Sequence, residues 1–184
     1  LLDFGIIGTV YARKWMEIPD PTIALVSNGI EEGKGNEVVK ETYDLFKQSG
    51  LNFIGYVEGN DIAHGKANVI ICDGFVGNVV AKFCEGLGDV IGRWLETELK
   101  DKLDNGHITR LITSLRRSTI PADAVGGGPL WGINGVVCKA HGRSKAPEVA
   151  STIGTAKKTV EIDLVGTFRN ELAAIKSSMN IPNT

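Results

Sequence analysis

Short apolar runs recur along the chain, each bounded by polar or glycine-rich turns. Residues 22–27 form a short apolar run, which is typical of a buried parallel strand, and residues 52–57 and 68–72 predict the next two strands. Residues 135–140 predict a further strand, and the opening Leu-Leu-Asp-Phe-Gly, residues 1–5, is interpreted as a strand already under way. Because strands alternate with helical segments, the pattern favours a largely parallel sheet that is covered on both faces.

Amphipathic helices are predicted between and after these strands. Residues 6–17 and 36–48 have helical apolar spacing, and the second segment ends at Gly50. A long helix after the third strand repeats apolar residues at three- and four-residue steps, at Val80, Phe83, Leu87, Val90 or Ile91, Trp94 and Leu95. Residues 108–120 have the same periodicity. The C-terminal segment carries one apolar stripe, Val149, Ile153, Ala156, Val160, Leu164, Phe168, Leu172 and Ile175, which predicts a helix or a helix pair.

The composition is that of one soluble α/β domain over residues 1–184. Hydrophobic residues make up 42% and charged residues 23%, enough for a core without disorder. The net charge of −2 argues against a nucleic-acid binder. Cys72, Cys84 and Cys138 form no CxxC pair, so we expect a reduced cytosolic protein with inert thiols. No apolar run reaches the roughly 18–20 residues of a membrane span.

Candidate chemistry begins in the loop Gly29-Ile-Glu-Glu-Gly-Lys-Gly-Asn-Glu. It follows a predicted strand and opens a helix, a junction whose backbone N–H groups favour anions. Lys34, between Gly33 and Gly35, can approach a phosphate or a thioester carbonyl. The loop lacks Walker A spacing. The structural alternative is a surface turn in which Asn36 caps the helix.

The stretch Asp73-Gly74-Phe75-Val76-Gly77-Asn78 repeats this strand, loop and helix order. Asn78 either caps the long helix or donates its amide to a developing oxyanion. Asp73 is placed to orient Lys34 or a backbone donor. The structural alternative is again a cap and a turn.

Residues 126–142 combine a flexible glycine-rich loop containing Trp131 with the strand at 135–140 and then His141. Such loops bind ligands or form lids. His141 either hydrogen-bonds a phosphate or shuttles a proton, while a purely structural role is the alternative. No carboxylates, histidines or cysteines have metal-ligand spacing.

Residues 108–120 form a basic amphipathic segment. Leu111 and Leu115 lie on its apolar side, and Arg110, Arg116 and Arg117 stand in it without an acidic residue. The segment suits an anionic membrane or an acidic partner. A helical hairpin packed against a second subunit is the alternative.

Several motifs in order make the chain resemble the PlsX family, phosphate acyltransferases of bacterial phospholipid synthesis. The matching segments are LLDFG, GTVYARKW, EEGKGNE, NFIGYVEGNDI, DGFVGNV, GGGPLWGINGV and KAHGRS, from Leu1 to about Ala156. The resemblance implies a three-layer α/β/α fold like that of isocitrate and isopropylmalate dehydrogenases, with a protruding helical hairpin at 91–120. The family also has an N-terminal stretch with a Gly-Asn-Thr-Gly loop that this sequence lacks, so we expect a C-terminal part of a longer protein.

The resemblance also implies a reaction without an enzyme nucleophile or a cofactor. Inorganic phosphate attacks the thioester of a long-chain acyl-carrier protein and forms an acyl phosphate. Lys34 would supply the cation and Asn78 the amide donor. The remaining pocket residues would be Gly33, Gly35, Asn36, Asp73, Gly74, Gly77 and His141. A homodimer bound peripherally to the inner face of the cell membrane is implied, with 91–120 near the contact.

Two other kinds of function fit the same architecture. One is a related enzyme, either a coenzyme A-dependent phosphate acyltransferase or a metal-dependent decarboxylating dehydrogenase. The dehydrogenase is disfavoured because no second aspartate follows Asp73 a helical turn later. The other is a non-catalytic module that docks on a membrane or on the carrier protein. These sites depend on the prediction that separate turns converge at the carboxyl edge of the sheet.

Overall fold

A computed structural model describes residues 1–119, 127–142 and 144–181. They divide into two compact units. The sheet unit comprises residues 1–73 and 159–181, and the hairpin unit comprises the described residues between 74 and 158. The fold is α/β, with a small parallel sheet and many helices.

Three parallel strands form the centre of the sheet unit. They are β1 (Ile23–Val26), β2 (Phe53–Val57) and β3 (Val69–Ile71), in the order β2-β1-β3. The strand predictions at 22–27, 52–57 and 68–72 are therefore confirmed. The register between β1 and β2 shifts once, and Gly55 takes a φ of +95° there. The shift is a β-bulge with one extra residue in β2, and the positive φ of Gly55 there is a conformation that glycine adopts without strain.

Four helices contribute to the sheet unit. They are α1 (Leu2–Lys14), α2 (Glu37–Gln48), α3 (Gly59–His64) and, after the hairpin unit, α7 (Leu164–Ser178). The prediction of a strand at residues 1–5 is wrong, since this segment is the first part of α1. The buried residues of this helix include Leu2, Ile6 and Val10, which follow one another at four-residue steps. They form one buried helical face, and burial of this face stabilises a helix although the two leucines at the start suggested a strand.

The core lies mainly on one face of the sheet. Ile23 and Leu25 of β1 join a cluster with residues of α1, α2 and β3, and α7 packs against it through Phe168, Leu172 and Ile175. The alternate residue Ala24 faces a smaller cluster with Val57 and Ala67. This two-residue alternation is what a strand that is buried on both faces requires.

The hairpin unit begins with two packed helices, α4 (Gly74–Leu99) and α5 (Asn105–Thr119). They run antiparallel, because Gly88 meets Thr119 while Gly92 meets Ile112. Both helix predictions are confirmed. Most of the apolar stripe predicted on α4 does not reach this interface. Phe83 and Trp94 remain 67% and 60% exposed.

A short antiparallel pair, β4 (Gly127–Pro129) and β5 (Cys138–Ala140), completes the hairpin unit. The strand predicted at 135–140 is confirmed only for its last three residues. Residues 127–129 form a strand, so the predicted loop is wrong there, and Gly126 lies outside the described residues. Glycine suits position 127, because a Cβ there would lie 2.4 Å from Lys139 O and 2.7 Å from Thr152 Oγ1.

Helix α6 (Ala146–Glu161) begins in the hairpin unit and ends in the sheet unit. It buries polar side chains and exposes apolar ones, the reverse of the usual amphipathic pattern. Its buried positions are Thr152, Thr155 and Thr159, whereas Ile153 and Val160 are 66% and 63% exposed. The predicted helix pair is confirmed. The apolar stripe predicted along both helices has two fates: its α7 residues Phe168, Leu172 and Ile175 pack against the core, whereas Val149, Ile153 and Val160 of α6 are exposed.

No helix among the described residues is long and apolar enough to cross a membrane.

The close packing of α1 on α2 and β1 gives a stability prediction. A Cβ at Gly5 would overlap the buried Phe46 ring and lie 2.7 Å from Ile23 Cδ1. We expect Gly5→Ala to lower the free energy of unfolding by about 1–3 kcal/mol in urea titrations followed by circular dichroism, since overpacking a core displaces its neighbours. Gly86→Ala is the matched control, because that exposed helical position has no neighbour to meet and alanine favours a helix by about 1 kcal/mol. A wild-type urea midpoint for Gly5→Ala would contradict this packing.

Candidate functional site

The carboxyl ends of the three parallel strands carry most of the predicted site residues of the sheet unit. The loop after β1 contains Lys34, and Asp73 follows the end of β3. Because β1 lies between β2 and β3, these segments leave neighbouring strands at one edge. The Ser27 N–H also donates to Val57 O at 2.9 Å, which ties the start of the first loop to the end of β2. Open parallel sheets bind ligands at this edge.

The Lys34 loop, residues 27–36, is held by its own backbone and by Asn28. The Lys34 N–H donates to Glu31 O at 3.2 Å, and the Gly35 N–H donates to Asn28 Oδ1 at 3.0 Å. Gly33 and Gly35 have φ values of +86° and +93°. A Cβ at Gly35 would lie 2.6 Å from Val39 Cγ1, so only glycine fits there.

The Lys34 side chain is exposed and passes beside Gly29, where a Cβ would lie 3.1 Å from Lys34 Cγ. Within the described ranges its ammonium has no salt-bridge partner. Nearby Glu32 is paired with Lys47, and this hydrogen bond raises the pKa of Lys47. Part of the loop's negative charge is thus neutralised by α2, while Lys34 stays available to an external anion.

Asn36 has the capping role that was the structural alternative. It is the N-cap of α2, with extended backbone, and its Oδ1 accepts from the Val39 N–H at 2.9 Å. This bond satisfies one of the N–H groups that the first helical turn leaves without a partner. Gly33, Lys34, Gly35 and Asn36 therefore lie in one ordered loop.

Asp73 directly precedes α4, and Cys72 comes just before it. Partial burial raises the pKa of the Cys72 thiol, and the charge of Asp73 adds to this effect. Burial likewise raises the pKa of Cys138. Both shifts favour the neutral thiol, which is less reactive than a thiolate. All three cysteines are free and half-buried.

In the hairpin unit, Gly74, Gly77 and Asn78 lie in the first two turns of α4. The structural alternative, in which Asn78 caps this helix, is wrong because the helix begins four residues earlier. Asn78 is exposed in the second turn of this helix. Lys34 and Asn78 belong to different units. Their convergence stays a prediction.

His141 follows β5 and is exposed. Its carbonyl accepts from the Ser144 N–H at 3.0 Å, which forms the turn before α6. The preceding loop joins β4 to β5, and the Leu130 N–H donates to Val137 O at 2.8 Å. No group of three or more histidine, cysteine, aspartate or glutamate side chains is placed to hold a metal ion among the described residues.

The arginines of α5 are exposed, and two of them contact neighbouring groups. Arg116 lies 3.6 Å from Asp89 of α4, so this arginine has an acidic neighbour that its own segment lacks. Arg110 Nε donates to Gly106 O at 3.2 Å. Leu111 is exposed beside them, whereas Leu115 is half-buried. The exposed face of α5 is therefore mixed, basic and apolar.

Asn28 is absent from the predicted residues, although it holds the loop through Gly35. A signal for it existed, because it is the first amide-bearing residue after a buried strand and stands seven residues before a glycine. Asparagine and aspartate commonly close turns through such side-chain to backbone bonds.

Comparisons with known proteins agree with this arrangement of motifs. The profile of the fatty acid synthesis protein family matches residues 1–166. The chain belongs to this family. The PlsX resemblance inferred from the motifs is confirmed by this match.

Relatives that are named phosphate acyltransferase are similar over most of the chain. One from Thermoanaerobacterium thermosaccharolyticum is 44% identical over 95% of this chain and 54% of its own length. One from Thermoanaerobacter pseudethanolicus is 41% identical over 98% of this chain and 55% of its own length. One from Pelobacter propionicus is 44% identical over 86% of this chain and 46% of its own length. The chain therefore spans about half the length of these curated relatives.

The hydrogen bond that caps α2 predicts how substitutions of Asn36 change stability. Asn36→Ala should lower the free energy of unfolding by about 1 kcal/mol, because the Val39 N–H loses its acceptor. Asn36→Asp should restore it, since a carboxylate also accepts this bond and suits the positive end of the helix. Urea unfolding of the two variants is the measurement. Equal destabilisation by alanine and aspartate would exclude the capping role.

Proposed function

We propose that this protein takes part in making an acyl phosphate from a long-chain acyl-carrier protein and inorganic phosphate. Membership of the fatty acid synthesis protein family supports an acyltransferase, and the similar relatives are named phosphate acyltransferase. The observation that carries the proposal for this chain is the Lys34 loop. It presents an exposed ammonium, without a salt bridge to the described residues, at the ligand-binding edge of a parallel sheet.

The proposed step is a direct acyl transfer. A phosphate oxygen forms a bond to the thioester carbonyl carbon, and the carbonyl oxygen becomes an oxyanion. The carbon–sulfur bond then breaks, so the acyl phosphate forms and the carrier leaves as its thiolate, which takes a proton from solvent. Since phosphate is itself the nucleophile, the protein contributes by positioning and by electrostatic stabilisation.

Lys34 binds the phosphate or the oxyanion in this proposal. The glycines on either side of Lys34 let the backbone approach the anion, and the positive end of α2 adds to the attraction. Asn78 is the proposed amide donor to the oxyanion, consistent with its exposed side chain in α4. Asp73, Gly74, Gly77 and His141 are proposed to line the pocket.

The proposed assembly is a homodimer of a three-layer, dehydrogenase-like α/β domain that includes the α4–α5 hairpin. An exposed apolar face on α4 supports a second copy as the partner. Phe75, Phe83 and Trp94 on this face are 79%, 67% and 60% exposed over about 28 Å of helix. An exposed apolar surface of this length is typical of a contact site.

Peripheral binding to the inner face of the cell membrane is proposed for the α5 side of the hairpin. Leu111 is 47% exposed there, and Arg110, Arg116 and Arg117 provide positive charge. Apolar and basic residues on one helix suit an interface rich in anionic lipid. The same charges suit an acidic carrier protein.

The central test removes the cation. In the protein as its gene encodes it, Lys34→Ala should reduce acyl phosphate formation from long-chain acyl-carrier protein and phosphate by at least about 10²-fold, as for the loss of one oxyanion contact. Lys40→Ala is the control, because that lysine is exposed on the neighbouring helix. Turnover close to wild type would remove Lys34 from the mechanism. If the unaltered protein bound carrier or lipid but formed no product, the docking alternative would hold.

A second test concerns lipid. Reversing the charge of Arg116 and Arg117 to glutamate should weaken co-sedimentation with anionic vesicles, and more strongly at low salt, because exposed charges are screened within about 10 Å at 0.1 M. Vesicles of neutral lipid provide the control. Unchanged binding to anionic vesicles would argue that these arginines do not contact lipid.

A further inference from the structure

The side chain of Asn28 has a defined orientation. The Gly35 N–H can only donate, so the atom that faces it at 3.0 Å must be the amide oxygen. The Ser27 hydroxyl donates to the same oxygen at 3.4 Å. With Oδ1 engaged on this side, the amide nitrogen of Asn28 must face away from the loop backbone.

This amide nitrogen has both of its N–H groups to offer. Among residues 1–119, 127–142 and 144–181, no acceptor for Asn28 Nδ2 is found, and the side chain is exposed. The next residue is Gly29, whose Cβ position would lie 3.1 Å and 3.3 Å from Lys34 Cγ and Cδ. The stem of Lys34 therefore passes beside Gly29, the residue that follows Asn28 in the loop.

We propose that Asn28 is a second side chain of the anion site, with its oxygen holding the loop and its nitrogen donating to the phosphate that Lys34 attracts. This inference rests on the proposed function. A neutral amide suits the loop, because Glu31 already places a carboxylate beside the following residue, with its Oε2 2.8 Å from the Cβ position of Gly29. A second carboxylate there would repel phosphate.

Two variants separate the roles of the two amide atoms. Asn28→Asp keeps an oxygen for the Gly35 N–H but replaces the donor with a negative charge, while Asn28→Ala removes both. A hydrogen bond to a charged group contributes about 1.5–3 kcal/mol, which corresponds to roughly 10- to 100-fold in affinity. Asn52→Ala is the control, because the half-buried Asn52 donates its amide to Asp20 Oδ2 before β2, at the opposite edge of the sheet.

The experiment measures KM for phosphate, KM for acyl-carrier protein and Tm in the protein as its gene encodes it. We expect Asn28→Asp to raise the phosphate KM at least about 10-fold, while the other two quantities stay at wild-type values. Inorganic phosphate titrated into ¹⁵N-labelled wild-type chain should also shift the side-chain amide resonances of Asn28, a readout that needs no turnover.

The outcomes separate this inference from the proposed function. A wild-type phosphate KM for Asn28→Asp, or a lowered Tm with normal KM values, would overturn the donor role even if Lys34→Ala abolishes activity. Unmoved Asn28 resonances at saturating phosphate would overturn it as well. If the unaltered protein formed no acyl phosphate, the proposed function itself would fail. A fully active Lys34→Ala would instead remove Lys34 from the mechanism, and the role of Asn28 beside it would fail as well.

Discussion

The pairing of β1 with both β2 and β3 is the constraint on which the sheet unit depends. β1 is buried on both faces, so Ile23, Ala24 and Leu25 pack against residues that are distant in sequence. Parallel pairing requires crossovers, and the crossover from β1 to β2 carries α2 to the main core face, where α1 and α7 also pack. The same pairing directs the ends of all three strands to one edge, so the core and the candidate site have a common origin.

The Lys34 loop shows how that edge becomes suitable for an anion. The short crossover after β1 must turn sharply, which Gly33 and Gly35 permit through their positive φ values. Asn28 and Asn36 then satisfy backbone groups on either side of the lysine. Ordering the loop before a ligand arrives lowers the entropic cost of binding, which is the physical advantage of two asparagines beside one cation.

Helices α4 and α6 each have an apolar face that lies outside the core, unlike the core-packed helices of the sheet unit. On α4, close contact with α5 uses Gly88 and Gly92, so the large side chains are left on the opposite side. On α6, threonines take the inward positions and isoleucine and valine the outward ones. Both helices are amphipathic, yet each places most of its large apolar residues outward.

The sequence by itself determined the local elements, the family and the loop that contains Lys34, because these depend on short-range periodicity, turn residues and motif order. It failed at Leu1–Gly5, where two leucines suggested a strand, and at residues 127–129, where glycines suggested a loop. Tertiary structure decided both segments. Helix α1 is stabilised by burial against α7 and β3, and strand β4 is stabilised by pairing with β5. It also decided that Asn36 caps a helix, that Asn78 does not, and that Asn28 holds the loop. These hydrogen bonds are local, but they depend on the path that the loop backbone takes, and the apolar periodicity along the chain does not specify that path.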